Sequence, residues 1–232
     1  MNKSCCIIIP ILNEAAHIPE VVRQIRQVCS ESSSYCVLVV DDGSQDNSAE
    51  LARTAGATVL RHEKNRGKGA ALQTGFAYAH EHKFDVVLTM DGDGQHAPAD
   101  IPRFVSAYER TLVPIVLGNR MEDTSQMPFI RRVTNRFMSA LLSRKIRQYV
   151  PDTQCGFRLY AKETLPHLQV SKTPGYAAES EELLFLAQHG FRITSIPIQT
   201  IYGTEKSKIH PIRDTIRFFR MLRQFRKANP KP

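Results

Sequence analysis

The apolar run Phe84-Asp85-Val86-Val87-Leu88-Thr89-Met90 stops abruptly at Asp91-Gly92-Asp93-Gly94-Gln95. A run of that length and β-propensity reads as a buried strand. In open α/β sheets, ligands gather beyond the carboxyl ends of the strands. Two carboxylates there mark a candidate site for a hard cation, Mg²⁺ or Mn²⁺, shared with substrate phosphates. A solvated Asp-Gly turn would use the same residues, and on this stretch alone the two readings stand level. A calcium loop is excluded, because its sixth position would be His96 rather than Gly and its twelfth Pro102 rather than Glu.

The rest of the chain repeats the pattern. Residues 5–10 read as a first strand, and Ile18, Val21, Val22, Ile25 and Val28 follow at helical spacing with Pro19 in the first turn. A second strand, 36–40, ends in Asp41-Asp42-Gly43-Ser44. Asp46 or Asn47 can cap a short helix that Gly56 stops. Strand 57–60, helix 69–82 and the strand before Asp91 come next. Further on the spacing predicts strand 115–117, a basic helix over 129–144, a loop at 152–156, strand 157–160, helix 179–189, strand 192–198 and a last helix from near Pro211. This alternation predicts an α/β fold: a mainly parallel central sheet flanked by helices, in a single Rossmann-like domain. With 232 residues, 42% of them hydrophobic, one core suffices. The expected division is a catalytic domain over 1–210 and a basic helix and tail over 211–232.

Charge and cysteines narrow the class. Residues 206–232 hold nine Lys and Arg against Asp214 alone, which leaves 22 basic and 22 acidic residues in 1–205. The net charge of +8 therefore sits in the last segment. A neutral body with a basic end suits a local anionic partner such as a membrane surface. It lacks a base-reading motif, so nucleic acid is not expected as a partner. No apolar run approaches the ~18 residues of a spanning helix, and the 5–12 run reads as a strand rather than a signal peptide. The expected location is the cytoplasm. Five cysteines without a Cys-x-x-Cys pair fit neither a disulfide framework nor a zinc site.

Three of the first four strands end in oxygen-rich loops: Asn13-Glu14, Asp41-Asp42 and Asp91/Asp93. Parallel strands would bring all three to one sheet edge, where a nucleotide binds, although each alone could be helix-capping chemistry. Asn65-Arg66-Gly67-Lys68-Gly69 places two glycines and a lysine at a helix start, an arrangement suited to phosphate oxygens. It is neither a Walker motif nor a dinucleotide fingerprint. A helix entry packed closely on the sheet would also use those glycines.

Together these residues resemble family 2 of the glycosyltransferases, the GT-A fold enzymes, and within it the polyprenyl-phosphate sugar synthases. The resemblance runs to about His210. It rests on Ile9-Pro10-Ile11-Leu12-Asn13-Glu14, Val39-Val40-Asp41-Asp42-Gly43-Ser44, Asn65 to Gly69, Met90 to His96, Gly118-Asn119-Arg120 and Asp152-Thr153-Gln154-Cys155-Gly156-Phe157. The last is most similar to the dolichyl-phosphate glucosyltransferase branch.

That resemblance implies a set of roles. Pro10, Leu12, Glu14, Val40 and Asp42 would line the base and ribose pocket of a nucleotide sugar. Lys68, Asp91, Gly92 and, from a mobile loop, Lys208 would meet its diphosphate. Asp91, Asp93 and Gln95 would hold the metal, with Asp93, Arg120 and Glu179 in catalytic roles. Glu181 would complete an acidic pair with Glu179. Arg131 and Arg132 would receive the acceptor phosphate, a polyprenyl phosphate, although a solvated basic face is as plain a use for them. Leu12 and Thr200 stand where mannosyl-phosphate synthases carry Tyr and Arg, which favours a UDP-sugar over GDP-mannose.

Breaking a sugar–phosphate bond builds negative charge on the departing diphosphate, which a divalent cation and basic side chains stabilise. A phosphate acceptor is already an anion, whereas a hydroxyl acceptor would need a general base. The resemblance further implies inversion at the anomeric carbon. In the last helix Arg213, Arg217, Arg220, Arg223 and Lys227 fall on one side, and Ile212, Ile216, Phe218, Phe219, Leu222 and Phe225 on the other. Such a helix can lie in a membrane interface, which would put the enzyme on the cytoplasmic face. It can equally dock on its own domain or, in a homo-oligomer, on a second subunit.

Overall fold

The computed structural model describes residues 3–30, 34–125, 127–168 and 177–201, together with Phe218, Phe219, Leu222 and Arg223. Among the described residues seven strands form one sheet: β1 (Cys5–Ile11), β2 (Tyr35–Asp41), β3 (Thr58–Arg61), β4 (Val86–Thr89), β5 (Ile115–Asn119), β6 (Arg158–Ala161) and β7 (Ile193–Pro197). Their spatial order is β3-β2-β1-β4-β6-β5-β7. All pairings are parallel except those of β6, which runs antiparallel to both β4 and β5. The sheet is thus mainly parallel.

β6 has a consequence for the site. An antiparallel strand begins where its parallel neighbours end, so the loop 152–157 enters the sheet at the edge where β1, β2, β4 and β5 leave it. Thr89 Oγ fastens this junction by donating to the Gly156 carbonyl at 2.9 Å.

Period-two alternation splits the strand side chains between two cores. Ile7 and Ile9 face α1 (Ile18–Val28), α2 (Ser48–Thr54) and α4 (Ile101–Thr111). Cys6 and Ile8 face α3 (Lys68–Glu81), α5 (Phe129–Ile146) and α6 (Ala177–Gln188). The three layers are helix, sheet and helix. Gly75 sets the approach of α3, since a Cβ there would lie 2.5 Å from Ile8 Cγ2.

Helix α4 had no counterpart among the expected elements. Ile101, Phe104, Ala107 and Tyr108 are its buried face, and Pro98 and Pro102 precede or open it where missing N–H groups matter least. Asn47 holds the N-cap position of α2 without a side-chain bond, the Asp46 carboxylate just before it accepts the Ser48 N–H at 3.1 Å, and Gly56 follows the helix with φ +98°.

The last helix expected from the sequence lies mostly outside the described residues. Phe218, Phe219, Leu222 and Arg223 are helical. Phe218 is fully buried in the α3-side core and Leu222 packs against it, so this part of the apolar side docks on the protein itself. Phe219 stays partly exposed, its ring 6.3 Å from that of Phe137 on α5.

Candidate active site

The site lies at the carboxyl edge of β1, β2 and β4, as parallel pairing requires. Its first wall is the Asn13-Glu14 turn. Asn13 adopts φ +56°, its N–H donates to Ser44 Oγ at 2.9 Å, and its own side-chain oxygen accepts the Gln45 N–H. The Glu14 N–H donates to Ser48 Oγ at 2.8 Å. The loops after β1 and β2 are therefore tied into one unit.

Asp42 binds the second wall. Its carboxylate accepts the N–H groups of Arg66, at 3.0 Å, and Gly67, at 2.6 Å, and lies 2.6 Å from His62 Nδ1. The other ring nitrogen of His62 is 2.8 Å from Thr74 Oγ, on α3. Gly67 takes φ +93°, a conformation L side chains rarely adopt, while a Cβ placed on either Gly67 or Gly69 would meet no atom within 4 Å. The glycines of this loop thus serve a sharp entry into α3 and an open approach, not tight packing on the sheet.

Lys68, the first residue of α3, projects across the floor. Its Nζ lies 2.6 Å from Asp91 Oδ1 and 2.6 Å from Glu179 Oε1. Partial burial works against the ammonium charge, but the carboxylates of Asp91 and Glu179 outweigh it and hold the lysine pKa above its ordinary value. Asp91 is likewise held below the usual carboxylate range: loss of water opposes its charge, and the Lys68 ammonium, helped by the Arg120 guanidinium, overcomes that. His96 is buried, receives the Asp91 N–H on Nδ1 at 3.1 Å and stacks on Phe157. Burial lowers its pKa, so the neutral imidazole braces the loop.

A cleft of about 390 Å³ opens above this floor, lined by Pro10, Leu12, Glu14, Asp42, Lys68, Asp91, Gly92, Asp93 and Glu179, with Ile11, Asn65, Gly67 and Ala71 between them. The volume is in the range of small-ligand sites. Val40 is elsewhere, fully buried in the α3-side core. Gln95 follows in the loop, its N–H donating to Asp93 Oδ1 at 3.0 Å. Its carbonyl accepts the Ile201 N–H at 2.9 Å, beside a bridge between His96 and Thr200. Lys208 lies outside the described residues.

Two carboxylates and an amide oxygen are hard donors, and no group of three His, Cys, Asp or Glu side chains among the described residues makes a self-contained cage. That set fits Mg²⁺ or Mn²⁺, which bind through one or two carboxylates and take their remaining oxygens from water and phosphates. The room is kept by Gly156: a Cβ there would stand 3.0 Å from Asp91 Oδ2 and 3.2 Å from Lys68 Nζ.

Arg120 is buried and paired twice with Asp152, Nε to Oδ2 at 2.7 Å and Nη2 to Oδ1 at 3.0 Å. Its field reaches Asp91, although it does not line the cleft. Arg131 and Arg132 occupy the first turn of α5, half-buried, with the Arg132 guanidinium 5.3 Å from the Phe129 ring centroid. Around them α5 presents Phe129, 68% exposed, Ile130, 71% exposed, and also Val133 and Phe137.

One group of residues under the floor was not singled out from the sequence. Arg158, on β6, is buried and donates to the carbonyls of Thr153, Cys155 and Glu179, and to Glu182 Oε1 at 3.2 Å. Tyr160 OH also donates to Glu182. Arg158 thereby ties the 152–157 loop to the start of α6 and fixes the backbone of Glu179. Its signal was available, since an arginine inside the apolar strand Phe157-Arg158-Leu159-Tyr160 demands buried partners.

Comparison with known proteins adds the lineage. Residues 6–168 match the family described as "Glycosyl transferase family 2". UDP-N-acetylglucosamine–dolichyl-phosphate N-acetylglucosaminyltransferase of Methanococcus voltae is 29% identical over 222 residues, covering 87% of this chain and 87% of that protein. Undecaprenyl-phosphate mannosyltransferase of Micrococcus luteus is 30% identical over 201 residues, covering 82% and 81%. Glucosyl-3-phosphoglycerate synthase from Mycobacterium tuberculosis, solved in complex with Mn²⁺, UDP and phosphoglyceric acid, shares the fold with a TM-score of 0.70 at 21% identity, over 96% of this chain and 75% of that one. The sheet order, the carboxylates at its edge and these matches agree, and the chain belongs to glycosyl transferase family 2 as a glycosyltransferase of GT-A fold.

Proposed function

We propose that the protein is a peripheral membrane enzyme that transfers a sugar, with inversion, from a UDP-sugar to the phosphate of a polyprenyl phosphate. Residues 1–210 would form the catalytic domain. The observation that carries the acceptor class is the Lys68–Glu179 ion pair at 2.6 Å. A hydroxyl acceptor needs a base ready to take its proton, and one oxygen of Glu179 is committed to an ammonium group. A phosphate monoester needs no such base. The relatives from Methanococcus voltae and Micrococcus luteus bear names with polyprenyl-phosphate acceptors, which supports the same choice.

The cleft residues divide accordingly. Pro10, Leu12, Glu14 and Asp42 hold the base and ribose, and the open Gly67–Gly69 entry with Lys68 admits the diphosphate. Asp91, Asp93 and Gln95 would hold Mg²⁺ or Mn²⁺, which neutralises charge on the leaving diphosphate. Arg120, held by Asp152, contributes a fixed positive field, and Arg131 and Arg132 receive the acceptor phosphate. Lys68 pairs with Glu179 and holds it at the floor, where it orients the acceptor.

Membrane contact is assigned to the exposed apolar residues of α5, continued by Phe219, with arginines among them. Such a surface suits an anionic interface. Among the described residues no helix is long and apolar enough to cross a membrane.

The test is transfer of radiolabelled sugar from a panel of UDP- and GDP-sugars to undecaprenyl or dolichyl phosphate in detergent, with Mn²⁺ or Mg²⁺. Acid-labile lipid product that is lost in Asp93→Asn supports the assignment. Metal-dependent donor hydrolysis without lipid product would redirect it to hydroxyl acceptors, and absence of donor binding would overturn it.

A further inference from the structure

Four of the five cysteines collect at the opposite, amino-terminal edge of the sheet. Cys5 faces the core that also contains Cys29, while Cys6 faces the α3 side. Cys6 and Cys36 are register partners on the parallel strands β1 and β2, so their side chains leave the same face of the sheet. Neighbouring strands lie about 4.8 Å apart, inside the Cα separation of roughly 4.4–6.8 Å that a disulfide spans. Both thiols are free, Cys6 buried and Cys36 only half-buried.

The surroundings of Cys36 are those of a thiolate. Its Sγ lies 3.9 Å from Thr58 Oγ on β3. The Cys6 thiol, the Tyr78 hydroxyl and the His82 imidazole favour its charged form. Tyr78 and His82 stack at the end of α3 with ring centroids 3.9 Å apart. Hydrogen bonding from Cys6 outweighs partial burial and, with Thr58, Tyr78 and His82, lowers the Cys36 thiol from 9.0 to about 6. Burial keeps Cys29 protonated, pushed up to about 11.

We propose that Cys36 and Cys6 form a redox modification site, in which a hydroperoxide oxidises Cys36 and Cys6 closes a disulfide between β1 and β2. The Cys36 thiolate attacks the peroxide: an S–O bond forms, the O–O bond breaks, and the hydroxide or alkoxide leaves. Cys6 sulfur then attacks Cys36 sulfur, an S–S bond forms, the S–O bond breaks, and the Cys6 proton leaves with the hydroxyl as water. Two thiols are oxidised and one peroxide is reduced. A dithiol reductant would reverse the step. The site is independent of the transfer chemistry, which lies at the other edge of the sheet.

The first experiment is pulsed alkylation of the native full-length chain with iodoacetamide, followed by peptide mass spectrometry. Cys36 should react about ten-fold or more faster than the other four cysteines at pH 7, with a rate that titrates well below the ordinary thiol range. The second is exposure to a few equivalents of hydrogen peroxide and digestion without reductant. A Cys6–Cys36 link, two hydrogens lighter and assigned by fragmentation, should appear in the wild type and vanish in Cys36→Ser. In Cys6→Ser, dimedone should label Cys36. Equal alkylation rates, a Cys5–Cys29 link in its place, or no peroxide-dependent link would overturn the proposal. The alkylation profile uses no variant, so a misfolded Cys6→Ser leaves it decisive.

Discussion

Lys68 and Glu179 are separated by 111 positions in the chain, and their side chains meet at 2.6 Å across the floor of the cleft. The same ammonium group lies 2.6 Å from Asp91, so one cation separates two carboxylates. Lys68→Met removes the screen. Asp91 has its pKa held down, so its carboxylate stays charged as pH falls until its folded value is reached. Without Lys68 that value rises, and the acid limb of the kcat/KM profile should move to higher pH, with kcat/KM near neutrality falling about 100-fold. Initial rates at sub-saturating donor across pH 4–8 check the shift, and an unmoved acid limb would remove Lys68 from the electrostatics of Asp91.

Much of the framework of this site was legible from the residues. The run ending at Asp91 predicted a strand and its edge, and the parallel pairing of β1, β2 and β4 brings Glu14, Asp42 and Asp91 together. What escaped depends on chain-distant partners. That β6 is antiparallel follows from the crossing between β5 and β6, which no local periodicity encodes, and with it came the placement of Gly156 beneath Asp91. The pairing of Arg120 with Asp152 is of the same kind. Helix α4 is a different case: Ile101, Phe104 and Tyr108 carry a plain helical period, overlooked beside the stronger carboxylate motif. Val40 was assigned to the pocket by resemblance, whereas strand alternation points it into the α3-side core.

Gly156→Ala tests the shape of the floor. Its Cβ would stand 3.0 Å from Asp91 Oδ2 and 3.2 Å from Lys68 Nζ, closer than side-chain packing ordinarily allows. The carboxylate must give way, while the backbone of Gly156 carries no positive φ to penalise alanine. Activity should fall at least about ten-fold, the effect of a small misplacement at a reacting centre, with thermal stability within about 1 kcal/mol of wild type. Gly67→Ala should show the reverse balance at the backbone, a strain of about 1 kcal/mol or more from φ +93° and a raised donor KM.

The Arg120–Asp152 pair is buried on both sides, with side-chain exposures of 7% and 0%. Removing one partner strands the other charge, so Arg120→Ala should destabilise the fold by about 3–5 kcal/mol in urea unfolding. Burial opposes the Asp152 charge, but Arg120 outweighs it and depresses the carboxyl pKa. A depressed acid stabilises the fold above its unfolded value and loses that contribution as pH falls through the folded one. Acid unfolding of Asp152→Asn should therefore show a flatter dependence below about pH 4 than the wild type, and an unchanged slope would count against the pair.

Glu182 behaves in the opposite sense. Burial raises its pKa, only partly offset by Arg158 and the Tyr160 hydroxyl. A carboxyl whose folded pKa is raised stabilises the protein more when protonated, and its contribution declines as pH rises through that value. Glu182→Gln keeps the shape and one acceptor oxygen for Tyr160 and Arg158 without the charge. It should be neutral or stabilising near pH 8, whereas Arg158→Met leaves the carbonyls of Thr153, Cys155 and Glu179 without their donor. That variant should lose about 3–5 kcal/mol and lower kcat more than it raises the donor KM, because Glu179 loses its anchor while the cleft walls stay in place. Measuring both variants at pH 6 and pH 8 separates the two effects. Equal destabilisation by Glu182→Gln and Arg158→Met at pH 8 would mean that the carboxylate charge, and not the arginine's hydrogen bonds, holds the start of α6 to the floor of the site.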